Sequence, residues 1–300
     1  MITEALQHCT GIGPVRLAQL HAAGLRSWSD ILDSELVQSY RWQAQLVEEA
    51  RQCAEALERE DVRFFVNRLA PQDKWRILAH YFDRTTFFDI ETTGLDFDAT
   101  ITVIICWHKG ELRTFVEHEN LDDFLDLLDE VTLLASFNGS SFDVPRVLQA
   151  FHLPDLPCPH LDVRWIAYHQ GHRGTLETIG QTMRIDRPVE IHSMDGQDAV
   201  RLWLDWRSKR DKAARDLLIN YCAADVLQLA AVAARLAGCN VQINMQDALA
   251  SHTCAVSSAA NTANSIHAGN AMEQPHSLHR SLTQLRAKGK ILARFRRQTG

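Results

Sequence analysis

The fold of this chain is indicated first by residues 85–94, which read Thr-Thr-Phe-Phe-Asp-Ile-Glu-Thr-Thr-Gly. The β-branched and aromatic residues are typical of a buried strand, and the Thr-Thr-Gly at the end is typical of a turn. Because side chains two apart on a strand share a face, the carboxylates of Asp89 and Glu91 should lie side by side. Buried acids of this kind need a cation or hydrogen bonds, although strand ends also often carry ordinary solvated charge.

The following sequence predicts an α/β fold with a mixed five-stranded sheet flanked by helices. After the first strand, the periodicity predicts strands over residues 100–107, 111–118, 132–137 and 161–165, and helices over 120–130, 142–151 and 213–236. Lys109-Gly110 should turn the first two of these strands into a hairpin. Antiparallel strands followed by alternating strands and helices indicate a mixed sheet.

Composition divides the chain into three predicted parts. Residues 1–68 should form a small all-α module, residues 69–239 the α/β domain, and residues 240–300 a flexible linker with a basic tail. The net charge of −7 divides into +7 for residues 277–300 and −14 for residues 1–276. An acidic body suits a site that collects divalent cations, and a basic tail permits a polyanionic partner, although the tail is equally consistent with a solvated end.

Cysteine usage and hydropathy exclude several classes of protein. The seven cysteines are odd in number and contain no Cys-x-x-Cys pair, which argues against a disulfide framework and against a cysteine-based zinc site. The N-terminus has no basic region followed by an apolar run, and the apolar stretches look shorter than a membrane span. We therefore expect a cytoplasmic protein that has no membrane partner.

Two further acidic positions follow the Asp-x-Glu pair. Asp143 comes shortly after the turn Asn138-Gly139, in the first turn of a predicted helix, where it could also simply compensate the helix dipole. Tyr221 and Asp225 lie four residues apart and so share one helix face, where Asp225 could also be a solvated residue.

Together these three patterns resemble the exonuclease motifs of the DEDD (DnaQ-like) 3′–5′ exonucleases of the ribonuclease-H-like superfamily. The tyrosine at position 221 resembles that of the tyrosine-containing branch. More closely, the chain is similar to YprB-type ribonuclease-H-like proteins over residues 69–236, through matches at 75–76, 88–95, 137–139, 142–145, 160–162, 176–179 and 199–203. It departs from them at Cys222, where we expect Asn.

The resemblance implies a site with two Mg²⁺ or Mn²⁺ ions. Asp89 would bridge both ions, Glu91 and Asp225 would complete one site, Asp143 would hold the second ion, and Tyr221 would orient the attacking water. Hard divalent cations prefer such oxygen ligands. The resemblance also implies contacts to the nucleic acid by Thr92, Gly94, Leu95 and Asn138.

The sequence around Gly11-Ile12-Gly13 resembles a helix-hairpin-helix motif, although Gly-Ile-Gly alone is often only a turn. In that family the turn gives backbone N–H groups to a DNA phosphate, and a helix N-terminus does attract anions. Further candidate phosphate contacts are in the basic tail, at Arg294, Arg296 and Arg297.

These observations predict a metal-dependent 3′–5′ exonuclease that hydrolyses phosphodiester bonds, with single-stranded DNA favoured over RNA. Two alternatives stay open at this point. One is a structure-specific endonuclease of the same fold, and the other is a catalytically inactive DNA-binding adaptor that has retained the acids. The sequence gives no indication of protein partners.

Overall fold

The computed structural model describes residues 1–35, 37, 42–96, 98–185, 187–188, 191–192 and 194–254. The predicted contacts at Arg294, Arg296 and Arg297 lie outside these residues.

A five-stranded mixed sheet forms the centre of the protein, in the order β3-β2-β1-β4-β5. The strands are β1 Thr85–Thr92, β2 Ile101–His108, β3 Glu111–Val116, β4 Leu133–Ser136 and β5 His160–Asp162. The pairs β1–β2 and β2–β3 are antiparallel, whereas β1–β4 and β4–β5 are parallel. The predicted mixed sheet and hairpin are therefore confirmed, with β1 as the central strand.

Helices flank both faces of the sheet. They are α1 Pro14–Ala22, α2 Trp28–Asp33, α3 Gln43–Glu58, α4 Val62–Arg68, α5 Trp75–Tyr81, α6 Phe124–Leu128, α7 Asp143–Ala150, α8 Val163–His169, α9 Leu176–Thr182, α10 Gly196–Lys209 and α11 Lys212–Ala237. Short 3₁₀ helices cover Ile2–Glu4, Pro71–Asp73, Phe82–Arg84 and Leu121–Asp123.

Alternation along β1 gives the protein two hydrophobic cores. Phe87 belongs to the core that the sheet forms with α11 and the N-terminal helices. Its neighbour Phe88 points to the opposite face, where it stacks with Phe124 of α6 at a centroid distance of 6.2 Å. Asp89 and Glu91 have the same parity as Phe87, so they lie on the α11 side of the sheet.

The N-terminal helices belong to the same core as α11. Trp28 stacks on Phe65 at 5.8 Å, and its indole N–H donates to the carbonyl oxygen of Ala5. The buried carboxylate of Glu49 accepts hydrogen bonds from Thr10 and from Arg68, which ties α3 and α4 to the turn before α1. Helix α4 ends where the predicted module ends, and the division into domains remains a prediction.

Helix α11 corrects one expectation about hydropathy. Its 26 residues contain a window with a mean hydropathy of 1.6, so by length and composition it could cross a membrane. The prediction that every apolar stretch is too short is therefore wrong for this helix. However, 78% of that window is buried inside the protein, and a helix in a protein core passes the same test. This single helix is weak evidence for a membrane span.

Two other segments differ from the predicted elements. The predicted strand over residues 161–165 ends at Asp162, because the Asp162 side chain accepts a hydrogen bond from the backbone N–H of Arg164 and caps α8. Residues 245–254, inside the predicted linker, are helical. Within this helix His252 is 7% exposed, and its Nε2 lies 2.6 Å from the hydroxyl of Thr114 on β3.

Candidate active site

The site begins near the end of β1, where Asp89 and Glu91 still pair with β2. Their partners on β2 are Ile105 and Val103, and a register shift follows directly after Glu91. On the other side, β1 pairs with β4 only as far as Phe87. The two carboxylates therefore lie beyond the last β1–β4 pair, and Glu91 is 9% exposed.

Helix α11 crosses this strand end at close range. The small side chains of Ala223 and Ala224 are fully buried between α11 and the sheet core. The thiol of Cys222 lies 3.6 Å from Oδ2 of Asp89 and 3.7 Å from the Asp89 carbonyl oxygen. One turn of helix places Tyr221 and Asp225 on the same side of α11. The structure thus brings the first and third acidic motifs together, as the sequence predicts.

Asp143 is the first residue of α7 and follows the loop that leaves β4. In that loop Asn138 adopts a left-handed conformation with φ of 64°, and Asp162 accepts hydrogen bonds from the backbone N–H groups of Asn138 and Ser140. A Cβ at Gly139 would lie 2.7 Å from Cβ of Ser136 and 3.2 Å from Oδ2 of Asp143. Only glycine therefore fits where this loop passes the Asp143 carboxylate, which is 4% exposed.

Burial raises the pKa of every acid in the cluster, and neighbouring charges add to the shift for Asp89 and Glu91. Burial, followed by the charges of Asp143, Asp225 and Glu91, raises the pKa of Asp89 well above its usual range. Burial and the charges of Asp225 and Asp143 do the same to Glu91. For Asp143, burial raises the pKa to about 7, and the hydrogen bonds from the backbone of Asp143 and Ile90 oppose the shift. The charges of Asp143 and Asp225 thus act on both acids of β1, which is the electrostatic signature of carboxylates gathered in one buried site.

Arg187 is a functional residue that the sequence reasoning missed. Its guanidinium forms an ion pair with Asp225 and lies over the Tyr221 ring, 5.6 Å from the centroid. Burial raises the pKa of Asp225 to about 6, while the positive charge and hydrogen bond of Arg187 lower it. Arg187 therefore holds Asp225 and Tyr221 in a fixed relation. No spacing rule connects it to them, because it lies between helices and outside every motif.

A glutamine on α11 positions Arg187 from the other side. Gln228 is 1% exposed, accepts from Nε of Arg187 at 3.0 Å and donates to the carbonyl oxygen of Ile185 at 3.0 Å. A Cβ at Gly180 of α9 would lie 2.9 Å from Cδ of Gln228. The close approach of α9 to α11 thus holds the Gln228 side chain in position, and its hydrogen bond holds the Arg187 guanidinium.

The turn after β1 carries three of the predicted nucleotide contacts, of which Thr92 is buried and Leu95 is exposed. The Thr92 hydroxyl donates to the carbonyl oxygen of Gly94 at 2.6 Å, and Leu95 is 84% exposed. Arg146 of α7 donates to the carbonyl oxygens of Leu95 and Ala99, which ties this turn to the element that begins with Asp143. The turn is therefore held beside the acidic cluster, and its contacts with nucleic acid remain a prediction.

The predicted phosphate-binding turn lies in the N-terminal module. Gly11 has φ of 77°, and Gly13 precedes the first residue of α1, Pro14, without a side-chain cap. Arg16 donates to the carbonyl oxygen of Gly11 at 2.9 Å. The element before this turn is the 3₁₀ helix Ile2–Glu4 rather than an α-helix. The turn is exposed, and its contact with DNA is a prediction.

The donor set fits a hard divalent cation. Ligand atoms of Asp89, Glu91 and Cys222 lie within 4.8 Å of one another, and the charges of Asp143 and Asp225 act on the same two acids. In the described part of the chain, no Lys or Arg forms an ion pair with Asp89, Glu91 or Asp143. Burial raises the pKa of the Cys222 thiol well above its usual range, so the thiol stays protonated and is a poor ligand. Carboxylate oxygens are the protein ligands that Mg²⁺ and Mn²⁺ prefer.

A family model matches the part of the chain from β1 to α11. A family model described as "RNase_H superfamily" matches residues 86–237, about half of the chain. Among solved structures, the family B DNA polymerase from the hyperthermophilic archaeon Pyrobaculum calidifontis is similar, with a TM-score of 0.41 and 17% identity. The similarity covers 50% of this chain and 24% of the polymerase chain, so this chain spans about a quarter of that protein. No curated protein matches the sequence.

Proposed function

Since the chain belongs to the RNase_H superfamily, we propose that it is a metal-dependent 3′–5′ exonuclease of the DEDD type, acting on single-stranded DNA in preference to RNA. One observation carries the proposal. Carboxylates from β1, α7 and α11 converge on a buried site in which the charges of Asp143 and Asp225 raise the pKa of both Asp89 and Glu91. A purely structural role would not explain this arrangement, because clustered buried acids without a cation destabilise the fold.

The residues that would hold Mg²⁺ or Mn²⁺ are Asp89, Glu91, Asp143 and Asp225. Divalent ions bound there would activate water and stabilise the leaving oxygen of a phosphodiester. The four acids come from separate elements, so their position depends on the packing of α11 and α7 against β1.

Tyr221 is suited to orient the attacking water. Burial and the charges of Asp225 and Glu91 raise the pKa of its hydroxyl, which therefore keeps its proton at neutral pH. Arg187 lies over its ring and Asp225 lies one turn further along α11, so the tyrosine is held at the site. A tyrosine in this position supports assignment to the tyrosine branch and to the YprB-type proteins.

Contacts with the substrate are proposed for two turns. The turn at Thr92, Gly94 and Leu95, of which Leu95 is exposed, would hold the terminal nucleotide beside the acids together with Asn138. The exposed turn at Gly11 and Gly13 would give backbone N–H groups to a DNA phosphate without reading sequence. The predicted cytoplasmic location is part of the same proposal.

The test uses the full chain, a single-stranded DNA oligonucleotide labelled at its 5′ end, and Mn²⁺. The wild type should shorten the oligonucleotide stepwise from its 3′ end, and Asp89→Asn or Asp225→Asn should stop degradation while the circular dichroism spectrum stays native. Asp205→Asn is the matched control, because Asp205 pairs with Lys209 on α10 and should leave activity unchanged.

Two results would overturn the proposal. Cleavage of a covalently closed single-stranded circle would identify an endonuclease, since an exonuclease needs an end. A wild type that binds Mn²⁺ in calorimetry but degrades neither DNA nor RNA would be a DNA-binding adaptor.

A further inference from the structure

Helix α8 exposes two large aromatic rings to solvent. Its apolar positions Val163, Ile166 and Ala167 recur at helical spacing and are buried in the core. The opposite face carries Trp165, which is 49% exposed, and Tyr168, which is 41% exposed. Among the described residues these are the only aromatics among the large exposed hydrophobic side chains. Two such rings left exposed side by side do not contribute the stability that burying them in the core would give. Exposed aromatic rings of this kind are typical of a binding surface.

Arginines accompany both rings. Trp165 and Tyr168 contact each other edge to face at a centroid distance of 5.9 Å. The guanidinium of Arg164 lies 5.9 Å from the Trp165 ring, and that of Arg173 lies 4.5 Å from the Tyr168 ring. These four residues form what we call the α8 patch. It combines exposed π-surfaces with positive charge on a body whose overall charge is negative.

The α8 patch is directly connected to the candidate active site. Helix α8 begins where β5 ends, and Asp162 at that junction accepts hydrogen bonds from the backbone of Asn138 and Ser140. The side chain of Arg164 donates to Oδ1 of Asn138, in the loop that leads to Asp143. A ligand on the α8 patch can therefore continue across this loop to the acidic cluster.

We propose that the α8 patch binds single-stranded nucleic acid, with bases stacked on Trp165 and Tyr168 and phosphates beside Arg164 and Arg173. The chemistry favours this occupant because every base has a π-face, a single strand leaves that face free, and its backbone complements the arginines. A duplex, whose bases are already stacked, cannot use the rings in this way. The proposal deepens the proposed function by naming the surface that selects single strands, and it rests on that function for the class of ligand.

The experiment separates binding from hydrolysis by working in EDTA. Fluorescence anisotropy with a labelled dT12 oligonucleotide would compare the wild type, Trp165→Ala, Tyr168→Ala and the double variant. Each ring should account for about a fivefold loss of affinity or more, in line with alanine substitutions of stacking residues. Leu204→Ala, at a 58% exposed position on α10, is the matched control and should bind as the wild type does.

Abasic DNA gives the second measurement. An oligonucleotide of the same length and charge, but without bases, should bind the wild type and the double variant equally, because only stacking has been removed. Arg173→Gln should weaken binding of both oligonucleotides and reduce the salt dependence of binding by about one phosphate contact.

Three results would overturn the proposal. The first is equal binding of dT12 by the wild type and the double variant. The second is failure of the wild type to bind dT12 while it still degrades DNA, which would leave the proposed function intact. The third is conversion of a dimer to a monomer by the double substitution without a change in DNA affinity, which would make the α8 patch an interface between two copies of this chain.

Discussion

Arg187 forms a buried ion pair with Asp225, one of the four carboxylates of the acidic cluster. The arginine side chain is 6% exposed and that of Asp225 is 13% exposed. Asp225 thus pairs with a permanent cation of the protein, and the charge of Arg187 also lowers the pKa of Glu91. The ion pair offsets part of the repulsion in the site before any metal binds.

Replacing Arg187 should therefore destabilise the metal-free protein more than the metal-bound one. Removing one partner of a buried pair typically costs about 3–5 kcal/mol, because the remaining charge is left without compensation. For Arg187→Met we expect a loss of about 3 kcal/mol in EDTA and a clearly smaller loss at millimolar Mn²⁺. Urea denaturation in both buffers measures this difference.

Arg215→Met is the matched control for that measurement. Arg215 is also nearly buried, and it pairs with Glu119 away from the acidic cluster. The stability lost in Arg215→Met should be the same with and without Mn²⁺. An equal loss for Arg187→Met in the two buffers would contradict the compensating role of Arg187.

The acidic cluster should make the stability of the metal-free protein depend on pH. Burial raises the pKa of Asp143 to about 7 and that of Asp225 to about 6, from 3.8 for an unperturbed Asp. The folded state therefore binds protons more tightly than the unfolded chain, and this contribution to stability is lost as the pH rises through these values. Replacing Asp89 by Asn removes one of the repelling charges.

We therefore expect Asp89→Asn to match the wild type in Tm at about pH 4 and to exceed it increasingly towards about pH 8 in EDTA. Burial lowers the pKa of His160 to about 4, so this histidine makes the folded protein less stable as the pH falls. Because both proteins contain it, the difference in Tm between them isolates the effect of Asp89. Differential scanning calorimetry over this range measures the effect. A Tm difference that is constant with pH would show that the acids do not repel one another.

Cys222 should act as a hydrogen-bond donor rather than a metal ligand. Its thiol lies 3.6 Å from Oδ2 of Asp89, and burial together with the Asp89 charge keeps its pKa high. A serine hydroxyl can make the same contact, so Cys222→Ser should bind Mn²⁺ within about threefold of the wild type, because hard ions take oxygen ligands. Calorimetric titration gives the affinity. Two results together would identify the thiol as a ligand. Cys222→Ser would lose Mn²⁺ affinity by about tenfold or more, and Zn²⁺ would bind to the wild type but not to Cys222→Ser.

Gly139 should be required for the position of Asp143. An added methyl group would press against Ser136 and lie 3.2 Å from Oδ2 of Asp143. For Gly139→Ala we expect a stability loss of about 1–3 kcal/mol from overpacking, together with a loss of activity. Gly196→Ala is the control, since nothing lies within 4 Å of its added Cβ. Native stability and activity in Gly139→Ala would show that the loop can shift without moving the carboxylate.

The sequence was informative wherever one element carries its own signal. The β-branched and aromatic residues at 85–91 predicted β1, and their spacing of two placed Asp89 and Glu91 on one face. The spacing of Tyr221 and Asp225 predicted their common helix face. It was misleading at residues 163–165, where alternating apolar residues suggested a strand. There the cap at Asp162 begins α8, and the core takes up Val163 and Ile166 at helical spacing.

By itself, then, the sequence indicated most of the strands and helices through short-range periodicity, and it indicated the acidic residues through the resemblance of its motifs to those of the exonucleases. Only the tertiary structure decided that Arg187 pairs with Asp225, that Gln228 holds Arg187, and that Trp165 and Tyr168 stay exposed beside the site. The physical reason is that these relations depend on how α8, α9 and α11 pack against one another and the sheet. The periodicity of apolar residues within a single helix or strand carries no information about that packing.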